Sequence, residues 1–250
     1  MTQAIHGLYA IIDPRFLPPH LTVAAYARAL LAGGCRVIQL RVKDESSRET
    51  SLRAELARQI MALKVQFDFT FILNDDVALA VELGADGVHV GRDDAPVAAV
   101  RAMLWQHALI GYSAHALSEA VAAQSAGADY VALGAIFPTT TKGPGHPVQG
   151  IATLAAVVRA VSIPVVAIGG INRTNCDAVL HTGVAAIAMI TGLSHAIDVV
   201  AETAWYVNCL RASPVVGRRS PVTETAPLTA DFTGDRRLTT DDAVYQRGIS

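Results

Sequence analysis

Charge is what this chain has least of. Only 17% of its 250 residues are Asp, Glu, Lys or Arg, and 20 Lys plus Arg against 22 Asp plus Glu leave a formal net charge of −2. Such a balance supplies no whole-molecule field toward nucleic acid or an anionic membrane, so neither is expected as a partner. Cysteine is scarce too: Cys35, Cys176 and Cys209 offer neither an even disulfide set nor zinc-ligand spacing. Cys35 and Cys209 sit among apolar neighbours and read as small core residues. Free thiols fit a reducing, cytoplasmic compartment. No apolar run reaches bilayer length. Met1-Thr2-Gln3-Ala4-Ile5-His6 lacks the basic and apolar regions of a signal peptide.

What is present is a large apolar fraction, 52%, enough for a sizeable core in one α/β barrel or in two domains. Short apolar runs alternate with alanine-rich helical stretches. The expected strands are 7–12, 36–41, 69–73, 87–90, 108–111, 130–133, 164–168 and 185–189. The expected helices are 21–32, 46–65, 77–83, 95–106, 116–126, 151–161, 172–182 and 195–210. Strands apolar on both faces and separated by helices imply a parallel sheet. Eight such units in about 210 residues predict a closed (β/α)₈ TIM barrel over 1–211. The alternative, a doubly wound sheet, would be expected to carry a glycine-rich turn after its first strand, and Asp13-Pro14-Arg15-Phe16 is not one.

From about Ala212 the chain turns to Ser, Thr, Pro, Arg and Asp, the composition of a disordered tail. Asp231-Phe232-Thr233-Gly234-Asp235 with Asp242 has the outline of a calcium loop, but Arg236 stands where that loop needs glycine. A solvated tail over 212–250 is the expectation.

In a barrel of this kind chemistry gathers at the C-terminal ends of the strands. The second strand ends Gln39-Leu40-Arg41-Val42-Lys43, the third Asn74-Asp75-Asp76, the fourth Gly91-Arg92-Asp93-Asp94. The fifth ends Tyr112-Ser113-Ala114-His115, and the sixth opens into Gly134-Ala135-Ile136-Phe137-Pro138-Thr139-Thr140-Thr141-Lys142-Gly143-Pro144-Gly145. The last two end Gly169-Gly170-Ile171-Asn172 and Ile190-Thr191-Gly192. Taken singly, Asn74 to Asp76, Asp93-Asp94 and Ser113 could be helix caps, and Gly169-Gly170 a tight turn. His89 reads as a satisfied core histidine, and His115 is open. Arg41 is harder to dismiss, since a guanidinium ending an apolar strand needs an anionic partner.

Together the strand ends bring Arg41, Lys43 and Lys142 toward Asp75 and Asp94. That combination suits a diphosphate chelated to Mg²⁺, which is commonly held by one or two carboxylates plus phosphate oxygens. The amides of Gly169-Gly170 and Ile190-Thr191 fall where barrels bind a second, single phosphate.

These motifs resemble the thiamine phosphate synthase (thiamine-phosphate pyrophosphorylase) family. The likeness runs through residues 7–11, 39–44, 74–75, 84–91, 110–115, 127–130, 137–142 and 166–172, and covers about residues 7 to 210. The resemblance implies condensation of hydroxymethylpyrimidine diphosphate with thiazole phosphate to give thiamine phosphate and pyrophosphate, by ionisation to a pyrimidine carbocation without a protein nucleophile. It implies Mg²⁺ on Asp75 and Asp94. Gln39, Leu40, Arg41, Val42, Lys43, Asn74, Ser113 and Lys142 would bind the pyrimidine diphosphate, with Arg41, Lys43, Ser113 and Lys142 carrying catalysis. Thr139, Thr140, Thr141, Gly170, Ile190 and Thr191 would bind the thiazole phosphate. Asp76 departs from a frequent arginine, Ala114 from threonine and Thr191 from serine. An isomerase on a similar barrel, the thiazole tautomerase, needs an acid/base residue but no diphosphate machinery. A non-catalytic metabolite sensor using the tail is a third reading. The oligomeric state is not legible.

Overall fold

The computed structural model describes residues 5–43, 47–139 and 147–213. Ser46, where the second helix is expected to open, the loop residues Thr140, Thr141 and Lys142, and the tail with its candidate calcium loop lie outside the described residues.

Eight parallel strands close into one barrel in sequence order, with the last strand paired to the first. They are β1 Gly7–Ile12, β2 Val37–Leu40, β3 Thr70–Asn74, β4 Gly87–Val90, β5 Leu109–Ala114, β6 Tyr130–Gly134, β7 Val165–Ile168 and β8 Ala186–Met189. The helices are α1 Val23–Ala32, α2 Ser47–Met61, α3 Val77–Leu83, α4 Val97–Met103, α5 Leu117–Ser125, α6 Gly150–Ala160, α7 Cys176–Leu180, α8 Thr191–Ser194 and α9 Val199–Ala212. The (β/α)₈ expectation therefore holds. No helix among the described residues is long and apolar enough to cross a membrane.

Period-two alternation splits each strand between two cores. Leu8, Ile38, Leu40, Phe71, Val88, Ile110, Val131 and Ile187 point outward into the layer beneath the helices. Tyr9, Ile11, Val37, Ile72, Leu109, Tyr130, Ala132, Val166 and Ala188 fill the barrel interior. Each fully buried aliphatic side chain is worth roughly 1.5–3 kcal/mol relative to exposure, so the outer layer supplies most of the fold's apolar stabilisation. The inner layer is where polar residues can face a ligand.

Helix ends follow local chemistry. Thr22 caps α1 by accepting from the Ala25 amide at 3.2 Å, and Asp76 caps α3 by accepting from Leu79 N at 3.0 Å. Two expectations shift. The final helix does not start at His195. A short α8 ends there, and Asp198 restarts the chain as α9 by accepting from Ala201 N at 2.9 Å. The fifth strand runs on to Ala114, which stands in register with Leu133. Ser113 is therefore a strand residue, and neither a loop residue nor a cap.

Candidate active site

Asp13 follows directly on the end of the first strand. Its side chain is fully buried and collects the cations around it. Arg41 Nη1 donates to Oδ2 at 2.6 Å. Arg15 donates from Nε to Oδ1 at 3.0 Å and from Nη2 to Oδ2 at 2.7 Å. Burial pushes the Asp13 carboxyl up, but hydrogen bonds from Arg15 and the charges of Arg15 and Arg41 outweigh it, leaving it below its ordinary value. This is the anionic partner that Arg41 requires.

Along β2 and the residues after it, alternation separates the expected binding residues. Gln39 and Arg41 line a cavity in the barrel mouth. Leu40 and Val42 are buried in the outer core, so their side chains cannot reach a ligand in the mouth. Any contribution from those two is through the backbone. Lys43 lies at the rim, with Nζ 2.6 Å from Asp75 Oδ2.

Asn74, Asp75 and Asp76 divide their labour. Asp76 is a cap, as the modest reading had it, and its carboxylate also pairs with Arg53 Nη1 at 2.7 Å. Arg53 in turn donates to the Val42 carbonyl at 3.2 Å. The negative charge that Asp76 adds to this sequence is thus already matched by a cation from α2. Asp75 holds a left-handed backbone at φ 63, unusual without glycine. Its amide is pinned to the His89 carbonyl at 2.9 Å. That twist aims its carboxylate at Lys43, at the Asn74 amide (2.5 Å) and at Asp94. Burial raises the Asp75 pKa, the facing Asp94 carboxylate raises it further, and Lys43 opposes both.

Asp94 accepts from the Gly91 amide at 2.7 Å and does not cap α4. The N-cap there is Pro96, with no side-chain bond. Two carboxylates facing each other at the mouth form an oxygen donor pair suited to a hard divalent cation. Among the described residues no group of three or more His, Cys, Asp or Glu gathers as a metal cage. A cation there would complete its shell with ligand oxygens or water.

The floor of the mouth is polar. Ser113 Oγ lies 2.9 Å from His89 Nε2, and His89 Nδ1 lies 3.1 Å from the Tyr130 hydroxyl. His89 is satisfied on both nitrogens, yet it lines the cavity with Tyr9, Gln39, Asn74 and Ser113. This cavity is open to solvent. His115 lines its edge, its backbone amide donating to Glu119 Oε2 at 2.7 Å.

A second cavity opens over the ends of β6, β7 and β8. Thr139, Gly170, Ile190 and Thr191 meet there, joined by Asn172 and His195. Gly169 and Gly170 have φ of 99 and 67. A Cβ on Gly169 would strike Ala135, and one on Gly170 would strike Phe137 and the Pro138 carbonyl. Only glycine allows the β7 turn to lie flat against the β6 loop. The Gly170 carbonyl accepts from Asn175 Nδ2 at 3.0 Å, anchoring the turn to α7. Ile168, Ala188 and Ile190 wall both cavities, so the two adjoin.

The mouth thus gathers Gln39, Arg41, Lys43, Asn74, Asp75, Asp94 and Ser113 on one side and Thr139, Gly170, Ile190 and Thr191 on the other. Sequence reasoning missed Asp13, Tyr9, Tyr130, Asn172 and His195. The two tyrosines carried a signal in retrospect, since each has a polar tip on the inward phase of a buried strand. Asp13 carried none, because Arg41, the cation it holds at the mouth, follows the next strand.

Fold and site together define a class: a closed (β/α)₈ barrel whose mouth holds two adjoining cavities, one edged by cations and paired carboxylates. A sequence model described as thiamine monophosphate synthase matches residues 8–193. The chain is 41% identical over 207 residues to the thiamine-phosphate synthase of Nitrosococcus oceani, covering 82% of this chain and 93% of that one. It is 43% identical over 169 residues to that of Bacillus licheniformis, covering 67% and 75% respectively. Among solved structures, thiamine phosphate pyrophosphorylase from Pyrococcus furiosus superposes with a TM-score of 0.71 at 36% identity, over 82% of this chain and 96% of that one. The chain belongs to the thiamine monophosphate synthase family.

Proposed function

We propose that this protein condenses hydroxymethylpyrimidine diphosphate with thiazole phosphate, releasing pyrophosphate and forming thiamine phosphate. The observation that carries the reading is the shared wall of Ile168, Ala188 and Ile190 between the two cavities. Two ligands seated there would touch along that wall, as a bond-forming pair must.

In this reading the pyrimidine ring lies over Gln39, Asn74 and Ser113, and its diphosphate faces Arg41, Lys43 and Lys142. The thiazole phosphate is held by Thr139, Thr140, Thr141, the Gly170 turn, Ile190 and Thr191. The methylene C–O bond breaks with its electron pair leaving on pyrophosphate, and the thiazole nitrogen lone pair forms the new C–N bond. The protein supplies orientation and charge rather than a nucleophile. Arg41 is pre-aimed by Asp13, which spares the cost of ordering a long side chain at the moment of reaction. Asp75 and Asp94 fit Mg²⁺ because they are facing oxygen donors whose mutual repulsion a divalent cation relieves, and they would hold it. When bound, Mg²⁺ would supply charge neutralisation to the leaving diphosphate. The barrel residues 1–211 would suffice for this chemistry, and the compartment would be the cytoplasm.

Purified protein given both substrates and Mg²⁺ should release pyrophosphate in step with thiamine phosphate. Absence of product while both substrates bind would refute the reading. Isomerisation of a thiazole carboxylate phosphate with no pyrimidine present would favour the tautomerase alternative.

A further inference from the structure

Behind the cavity floor runs a chain of hydrogen bonds that the reaction as described does not use. Gln39 Nε2 donates to the Tyr9 hydroxyl at 2.7 Å, Tyr9 and Tyr130 share a bond of 2.8 Å, Tyr130 meets His89 Nδ1 at 3.1 Å, and His89 Nε2 meets Ser113 Oγ at 2.9 Å. Five different strands contribute, and Tyr9 and Tyr130 are almost completely buried.

Proton counting sets the direction. Gln39 Nε2 can only donate, so Tyr9 oxygen accepts there. If Tyr130 also donated to Tyr9, the Tyr9 proton would be buried with no acceptor within reach among the described residues. Buried polar groups are rarely left so, because the desolvation penalty goes unanswered. Tyr9 therefore donates to Tyr130, and Tyr130 to His89 Nδ1. A neutral imidazole that accepts at Nδ1 carries its proton on Nε2, so His89 donates to Ser113 Oγ. The serine proton is then free for the cavity, and the Gln39 carbonyl oxygen is not used by the chain.

A separate feature supports this arrangement as a built one. His89, Gly111 and Tyr130 are consecutive register partners across β4, β5 and β6. A Cβ on Gly111 would overlap the Tyr130 ring, its hydroxyl and His89 Nδ1. The bond between strands that are not neighbours exists only because the strand between them has no side chain at that row. Their rings stack obliquely with centroids 5.5 Å apart.

We propose that Tyr9, Tyr130 and His89 are positioning residues that lock Ser113 as a hydrogen-bond donor and Gln39 as an acceptor toward the bound ring. That pair of polarities fits a flat heteroaromatic ring with an acceptor nitrogen and an exocyclic amine, and rejects rings with the opposite pattern. The inference deepens the pyrimidine half of the proposed reaction and rests on that reading for the ligand's name, but its proton direction does not.

Two measurements test it. Nitrogen-15 NMR of the histidine rings in the wild-type protein without substrate should give His89 as the neutral Nε2–H tautomer, and the Nδ1–H tautomer overturns the proposal whatever the protein's activity. Calorimetric binding should then separate the pyrimidine ligand from the two phosphate ligands that lack its ring. Tyr130→Phe and Tyr9→Phe should each weaken hydroxymethylpyrimidine diphosphate by about tenfold, the size of one net hydrogen bond, and leave pyrophosphate and thiazole phosphate unchanged. Equal loss for all three ligands, or none, in whichever variant keeps a wild-type melting transition overturns it. A wild-type enzyme with the expected tautomer and no turnover would count against the reaction alone.

Discussion

Replacing Asp13 by asparagine removes one charge from a buried carboxylate that serves two arginines at once. The pair with Arg15 is more than half exposed on the arginine side (54%), whereas Arg41 keeps only 23% exposure. Exposed pairs are worth at most about 1 kcal/mol, and a largely buried charged hydrogen bond about 2 kcal/mol. Asparagine retains one oxygen for one donor, so the expected net loss is about 2 kcal/mol, below the 3–5 typical of a fully buried broken pair. For a domain of this size that lowers Tm by roughly 4–8 °C. The pH dependence carries the sign. The folded Asp13 pKa lies below the unfolded value, so its contribution is complete above about pH 4 and disappears as pH falls through the lower folded value. Thermal melts of both proteins from neutral to acid pH should show a gap that closes at the acid end. The KM for the pyrimidine diphosphate should also rise, since Arg41 loses the group that aims it. A constant offset that persists in acid, or no Tm change at neutral pH, would refute the charge argument.

Asp75→Asn and Asp94→Asn should each lower turnover and weaken Mg²⁺ dependence without unfolding the barrel, checked by titrating the metal. Because burial and Asp94 raise the Asp75 pKa, protons should compete with Mg²⁺ at a pH above the ordinary carboxylate value of about 4; the metal's apparent affinity should fall as pH drops through that raised value. Lys142→Ala should cut kcat by on the order of 10²-fold if that lysine stabilises departing charge. Gly170→Ala, forced into a left-handed turn against Phe137, should raise KM for thiazole phosphate more than for the pyrimidine substrate. Cys176 is buried with its thiol pushed up to about 12 by burial and by Cys209, whose Sγ is 3.6 Å away; it should resist alkylation at pH 8 in the folded protein and react only after denaturation, as mass spectrometry can follow.

Helix boundaries went astray where a single polar residue chose between continuing and restarting, as at Asp198. In the sequence β5 reads short, because Tyr112-Ser113 looks like an exit from a strand. Its partner β6 holds it extended to Ala114.

Alternating apolar strands and capped helices are local properties, and they determined the barrel, the end at which polar residues collect, and most of the mouth's membership. Roles within the mouth were decided elsewhere. Whether Asp76 caps while Asp75 faces Asp94 depends on one left-handed backbone angle held by a carbonyl on the next strand. Likewise Leu40 and Val42 turn away while Gln39 and Arg41 turn inward, because closure of the barrel fixes which phase of each strand is inside. The Asp13–Arg41 pair and the run from Gln39 to Ser113 join residues up to 121 positions apart. Such contacts are created by closure, and no local pattern in the chain encodes them.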